Sequence, residues 1–310
     1  MLRLEDLHLD HYLSPDELSR NNFTSNYATT ITTGKIPRII HQTYKTTNIP
    51  SHWAGAQKSC KSHNPSYQYY FWTDSSARDL IRTEFGWFLP TYDGYPYAIQ
   101  RADALRYFVL WRYGGIYIDL DIACRRSLDP LLAFPAWFPS TWPLGVSNDL
   151  IASTPGHPVI MKLALDLQDH NFVSWSKYIT VFWSTGPMFV NNILASCFRA
   201  SHITNQGLHH RKSSNADINR GTSARFHEAT TTRSSAPADG VVILPPCMYS
   251  TSEHSFFGHC SGSSWHGKDV AFVTWLYKNS WWFSGILMCA VVWAVLRKRR
   301  RSYVLISSTV

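Results

Sequence analysis

A glycine pair, Gly114-Gly115, interrupts the most informative stretch of this chain, and its flanks leave the backbone little choice. Before it, residues 96–113 carry Ala102, Leu105, Phe108, Val109 and Arg112 at helical spacing. Glycine just past the last periodic position is a helix stop. After it, Ile116-Tyr117-Ile118 is a β-branched and aromatic run that ends in Asp119-Leu120-Asp121. Helix, glycine turn, strand and D-x-D in succession place two carboxylates at the carboxyl end of a strand, where open α/β sheets bind their ligands.

The preceding chain has the same grammar. Residues 36–42 form a short apolar run suited to a buried strand, a helix follows from His52-Trp53 to Cys60, and a second strand runs from Tyr67 to Trp72. Strand–helix–strand alternation predicts an α/β fold with a mostly parallel central sheet. Residues 130–190 alternate short apolar runs with Pro and Gly, and structure resumes at Val241. Residues 199–239, rich in Ser, Thr, His, Asn and Arg, are expected to be a mobile insertion loop, and residues 1–34 a polar leader or linker. One domain is expected over 35–275.

The chain has 310 residues, 45% of them hydrophobic and 16% charged, which excludes a disordered or fibrous protein. Its net charge of +8 would suit a nucleic-acid binder, but five of those charges form the run Arg297-Lys298-Arg299-Arg300-Arg301. The rest is too thinly spread to track phosphates, so no nucleic-acid partner is expected. The basic run follows an uncharged apolar segment, 281–296, with Trp281, Trp282 and Trp293 near its ends. Taken from Asn279 it reaches the length of a short transmembrane helix, about 17–25 residues. A helix over 279–296 with a cytosolic basic tail over 297–310 is therefore expected, in preference to a buried core helix. Six cysteines without a C-x-x-C pair argue against zinc and leave disulfide pairing open.

Two carboxylates separated by one residue at a strand end can meet a divalent ion directly and through water, and hard oxygen ligands suit Mg²⁺ or Mn²⁺. A lone D-x-D more often marks a solvated turn. Here Asp103 and Arg106, three apart on the preceding helix, share a face. Arg can meet a phosphate with its fork of donors, and Asp can accept from sugar hydroxyls. By spacing alone the pair reads equally as an ordinary salt bridge.

The stretches IPRIIHQTYK, NPSYQYYFWTD, YPYAIQRADALRYFVLWRYGGIYIDLD, STGP, VILPPCMYS and FFGHCSGSSWHGKD resemble the fungal inositolphosphorylceramide mannosyltransferases. These are similar in turn to the initiating α-1,6-mannosyltransferases of yeast-type N-glycans. The resemblance covers about residues 35–275. It implies a single-domain α/β nucleotide-sugar transferase of GT-A type, GDP-mannose as donor, Mn²⁺ (or Mg²⁺) as metal and retention of anomeric configuration. It also implies a sphingolipid acceptor, a membrane setting in the Golgi with a lumenal catalytic domain, and a regulatory membrane subunit as partner.

Carried over residue by residue, Asp119 and Asp121 hold metal and diphosphate, and Asp103 and Arg106, in an A-x-D-x-x-R pattern, contact the donor sugar. Tyr44, where relatives more often carry Trp, stacks on the base, Trp265 sits in a loop closing over the diphosphate, and His266 is a further metal ligand. Asn148 and Asp149 in GVSNDL are expected in an acceptor-side turn and Thr185-Gly186-Pro187 in a loop near the cleft; turn-forming roles account for these as well. His157-Pro158 reads as structural.

Two rivals share some of these features. An aspartate-nucleophile phosphatase would want Thr or Val where Ala123 stands, and a non-catalytic relative would not need Asp103, Arg106 and both D-x-D carboxylates together. Within the transferases, the alternative acceptor is a glycoprotein glycan.

Overall fold

Side chains alternate along each central strand between two separate cores. Tyr117, Ala136, Phe138, Ile151, Val241 and Ile243 enter one; Ile116, Ile118, Trp137, Leu150, Ala152, Val242 and Leu244 enter the other. A sheet apolar on both faces must be covered on both. The computed structural model, which describes residues 36–141, 145–199, 240–249, 252–253, 255–260, 269 and 275, shows that cover.

The chain begins with β1 (Ile39–Thr43), α1 (Ser51–His63) and β2 (Gln68–Trp72), then α2 (Asp74–Glu84), α3 (Leu89–Gly94) and α4 (Ala98–Tyr113). It continues through β3 (Gly115–Ile118), β4 (Ile122–Cys124), β5 (Ala136–Thr141), β6 (Gly145–Val146), β7 (Leu150–Ser153), α5 (Pro158–Asp166) and α6 (Lys177–Ser184). A further helix, α7, occupies 187–199, and β8 (Val241–Leu244) and β9 (Phe257–His259) follow. Helices α2 to α5 and α7 cover the first core, with α4 central: Leu105, Tyr107, Phe108, Val109 and Leu110 are all fully buried.

The sheet runs β2-β1-β3-β7-β5-β6, with β8 also pairing β5. The expected strand–helix–strand half is present, since β1 lies parallel to both β2 and β3. The expectation of a mostly parallel sheet needs correcting, because β7 runs antiparallel between β3 and β5, and β6 is antiparallel to β5. The sheet is mixed. The physical reason is the short return from β5 to β7: a connection without a crossover helix brings neighbouring strands together antiparallel.

Two devices place β3. Gly114 and Gly115 both have positive φ, 63° and 97°. A Cβ on Gly115 would lie 2.7 Å from the Ile39 carbonyl oxygen, so only glycine lets β3 start this close to β1. The turn is also pinned from below by His41. The Trp72 indole donates to its Nδ1 (3.1 Å), which leaves Nε2–H to donate to the Gly114 carbonyl at 2.9 Å. A Cys60–Cys124 disulfide joins α1 to β4, one of the pairings that spacing left open. His157 caps α5, accepting from the Val159 N–H, in line with its structural assignment.

Chain contacts define two units. The first, Met1–Trp175 with Ile179–Gly262, contains the sheet. In the second, Ser176–Tyr178 with Ser263–Val310, the Asp269 carboxylate accepts from the Ser176 hydroxyl and, at 2.9 Å, from the Tyr178 N–H. Among the described residues no helix is long and apolar enough to cross a membrane. The expected span at 279–296, the tail at 297–310 and the leader at 1–34 lie outside the described residues, as does the expected insertion loop beyond residue 199, which is the last helical residue described in α7.

Burial holds the His41 imidazole down at about 4, against an ordinary 6.5, with the Gly114 carbonyl opposing the shift. The native state therefore keeps it neutral, while the unfolded chain takes up a proton as pH falls below 6.5. Stability from this residue is fully present above about 6.5 and is lost progressively down to about 4. The cost of His41→Gln in urea denaturation should thus be greatest near pH 8 and shrink by ~3 kcal/mol by pH 4. A cost independent of pH would show that the imidazole is not held neutral.

Candidate active site

Strand alternation decides which way the D-x-D faces. Asp119 shares a sheet face with Tyr117, the face covered by α4, so its carboxylate meets side chains of that helix. The Tyr117 hydroxyl donates to Asp119 Oδ1 at 2.7 Å. Arg106, one of the largest fully buried side chains, reaches Asp119 Oδ1 at 3.5 Å and pairs with Asp103 Oδ1 at 2.6 Å. Its guanidinium lies 4.7 Å from the centre of the Tyr117 ring and donates to the Asn148 carbonyl. The Asp103–Arg106 pair is thus an intrahelical salt bridge and, at the same time, the link from α4 to the D-x-D.

Asp103 is itself fully engaged. Its Oδ2 accepts from the Thr185 hydroxyl at 2.8 Å, and its Oδ1 accepts from the Asn148 amide at 3.3 Å. Tyr107 adds a strut to the same loop, donating to the Thr185 carbonyl at 2.6 Å. Asn148 and Thr185, read from sequence as turn or loop residues near the cleft, both lie buried in this network.

Antiparallel β7 brings Asp149 to the D-x-D. The Asp119 N–H donates to the Asp149 carbonyl at 2.9 Å, extending the β3–β7 ladder by one residue. The Asp149 Oδ2 accepts from the Tyr249 hydroxyl, while its buried Oδ1 has no hydrogen-bond partner among the described residues. A second ladder holds Asp121. Strand β4 pairs antiparallel with β9, and the Cys260 N–H donates to the Asp121 carbonyl at 2.7 Å. The Tyr249 ring stands edge-on to His259 at 4.6 Å.

Two carboxylates, Asp103 and Asp119, flank the Arg106 guanidinium, and Asp121 and Asp149 lie near enough to act on Asp119. Burial, then Asp121 and Asp149, push the Asp119 carboxyl up to about 7 against the pull of Arg106 and the Tyr117 hydrogen bond. Asp121 is also raised, by burial first and then by Asp149. For Arg106, burial disfavours the charge, but Asp119, Tyr117 and Asp103 more than offset it and hold its pKa well above the ordinary value. The negative charge is in surplus.

Those residues suit a hard divalent cation. The donors are carboxylate oxygens, one buried oxygen is unpartnered, and the charge surplus is the kind that a cation neutralises. Among the described residues no three acidic, His or Cys side chains converge on one point; ions such as Mg²⁺ commonly keep water and phosphate oxygens in their shell beside one or two carboxylates.

Of the remaining expected site residues, Tyr44 follows β1, with its N–H on the Trp72 carbonyl at 2.9 Å and its ring edge-on to Trp53 at 5.9 Å. Trp265 and His266 lie outside the described residues. Sequence reasoning passed over Tyr117, Tyr107 and Tyr249. Tyr117 was findable, since it stands two residues before Asp119 and must share its face. For Tyr249 no local signal exists, because its partner is 100 residues away.

Residues 50–137 match the family described as a glycosyltransferase sugar-binding region containing a DXD motif. Among curated proteins, inositol phosphoceramide mannosyltransferase 3 of Schizosaccharomyces pombe is 39% identical over 85% of this chain and 64% of its own length. The mannosyl phosphorylinositol ceramide synthase SUR1 of Saccharomyces cerevisiae is 40% identical over 83% and 57%. Inositol phosphoceramide mannosyltransferase 1 of Schizosaccharomyces pombe is 36% identical over 86% and 76%. The chain thus spans a little under two thirds of the length of the first, somewhat over half of the second and about three quarters of the third. On this similarity, together with the D-x-D that closes β3, the chain belongs to the family of the inositol phosphoceramide mannosyltransferases, DXD-containing glycosyltransferases.

Proposed function

We propose that the chain is a metal-dependent retaining mannosyltransferase of GT-A type, moving mannose from GDP-mannose to inositolphosphorylceramide in sphingolipid biosynthesis. The observation that carries this reading is the buried Arg106 held between Asp103 and the D-x-D carboxylate Asp119. The names of the relatives supply donor sugar and acceptor. Mn²⁺, or Mg²⁺, held by Asp119 and Asp121 with Asp149 alongside and His266 as the further ligand, would supply positive charge against a departing diphosphate.

The protein's own part is preorganisation. Arg106 cannot swing, because Asp103, the Asn148 carbonyl and the Tyr117 face fix its plane. A charge fixed in a dry site stabilises a developing charge without reorganising during the reaction. Tyr44 would stack on the base and Trp265 would cover the diphosphate. The acceptor hydroxyl would attack from the face that the diphosphate leaves, giving up its proton to that phosphate, so no side-chain nucleophile is required. A Golgi lumenal setting agrees with the Cys60–Cys124 disulfide, since disulfides persist in oxidising compartments. The acceptor lipid, the membrane and a regulatory membrane subunit complete the proposed partners.

Membranes carrying the chain, given labelled GDP-mannose and inositolphosphorylceramide, should label the lipid with Mn²⁺ and not with chelator. Asp121→Asn should lower transfer by roughly a thousandfold or more, ~4 kcal/mol of transition-state stabilisation, with the fold unchanged by circular dichroism. Wild-type transfer rates in that variant, or label appearing only on glycoprotein glycans, would refute the reading.

Tyr249→Phe should have a smaller effect of a different kind. It frees Asp149 to turn, and loss of such an orienting hydrogen bond lowers metal affinity by about 10–100-fold. The Mn²⁺ concentration for half-maximal transfer should rise accordingly, while the rate at saturating metal is largely restored. An unchanged metal requirement would place Asp149 outside the cation's surroundings.

A further inference from the structure

The loop between α5 and α6 exposes large apolar side chains that the proposed chemistry does not use. Phe172, Val173 and Trp175 are 41%, 66% and 71% exposed, and Trp183 on α6 is 42% exposed. The Ser174 N–H donates to the Thr180 hydroxyl at 2.8 Å, which ties the loop to α6 one turn before Trp183. Three large apolar residues within four positions, with no charge between Asn171 and Ser176, are unusual on a water-facing loop. The same helix runs into the catalytic network. Ser184 accepts from Gln100 at 2.8 Å and Thr185 holds Asp103, so Trp183 stands two residues from a side chain that touches the A-x-D-x-x-R pair.

We infer that residues 172–175 together with Trp183 form a seat on the surface of a lipid bilayer, holding the cleft at the height of an acceptor headgroup. The bilayer is chosen as occupant on three grounds. Tryptophan and phenylalanine are the side chains that settle at the membrane–water boundary, indole N–H outward and ring inward. The chain carries its own uncharged apolar segment at 281–296 followed by five basic residues, which, read as the expected membrane span, would bring a bilayer within covalent reach. Finally, an acceptor with two acyl chains stays in the membrane, so the enzyme must bring its cleft to the surface; this last ground rests on the proposed lipid acceptor, the first two do not. Asp169 and Lys177 flank the loop with opposite charges, so docking depends on apolar burial and not on attraction to anionic lipid.

The test uses the full chain reconstituted in phosphatidylcholine vesicles with and without brominated acyl chains. The emission difference between the wild type and the double variant Trp175→Leu/Trp183→Leu isolates these two indoles. That difference should be quenched at least about twofold by brominated lipid, and should stay quenched in 1 M NaCl, where charge attraction is screened over about 3 Å. In parallel, Phe172→Ser/Val173→Ser/Trp175→Ser should lower transfer to vesicle-embedded acceptor about tenfold while leaving transfer to a water-soluble inositol phosphate acceptor unchanged. Unquenched emission would overturn the proposal and mean that protein, this chain's own C-terminal segment or a second copy, covers the patch. Quenching lost in salt, or an equal loss on both acceptors, would overturn it too. If no acceptor is mannosylated by the wild type, the acceptor reading fails, while the quenching still decides the docking.

Discussion

A guanidinium buried away from water is tolerable only if carboxylates and carbonyls replace its hydration, and Arg106 imposes that condition on everything around it. Asp103 must face it from the same helix, Asp119 must arrive at the end of β3, and the Asn148 carbonyl must approach from the turn before β7. Each comes from a different part of the chain. Satisfying one buried cation therefore fixes how α4, β3 and β7 meet, and a group of strand-end acids becomes a defined cluster. Its Nε keeps no hydrogen-bond partner among the described residues, yet in charge the balance is negative, since Asp121 and Asp149 stand near Asp119 beside the two carboxylates that flank the arginine. That surplus joins the structural requirement to the proposed reaction: the site is stable with its arginine, and suited to a further cation.

Much of this was legible because neighbouring residues encode it. Gly114-Gly115 marks a turn that L residues cannot make at these angles, and the run after it alternates as a strand must, so the local sequence alone places the D-x-D at a strand end. The three-residue spacing of Asp103 and Arg106 foretold a shared face. What spacing could not supply was burial, which separates a surface salt bridge from the pivot of a site.

The parts that were not legible share a cause. The mostly parallel sheet was inferred from the strand–helix–strand opening, and that rule says nothing about a strand returning by a short connection. Antiparallel β7 follows from such a return, and it is β7 that carries Asp149 to Asp119 and Asn148 to Arg106. Asn148 and Asp149, expected in an acceptor-side turn, thus stand beside Arg106 and Asp119, a neighbourhood that strand–helix–strand alternation alone does not foretell. The Cys60–Cys124 bridge and the Tyr249–Asp149 hydrogen bond were hidden for a related reason, since pairing across 64 and 100 positions leaves no trace in local pattern.

If the carboxylate surplus is what the site is built around, the cation should be measurable without any turnover. Electron paramagnetic resonance of Mn²⁺ titrated into the protein with GDP should show one bound ion per chain. That signal should be lost in the Asp119→Asn/Asp121→Asn double variant, whose fold remains intact by circular dichroism. Equal Mn²⁺ binding by the wild type and the double variant would contradict the account, because the charge cluster would then not be where the cation goes.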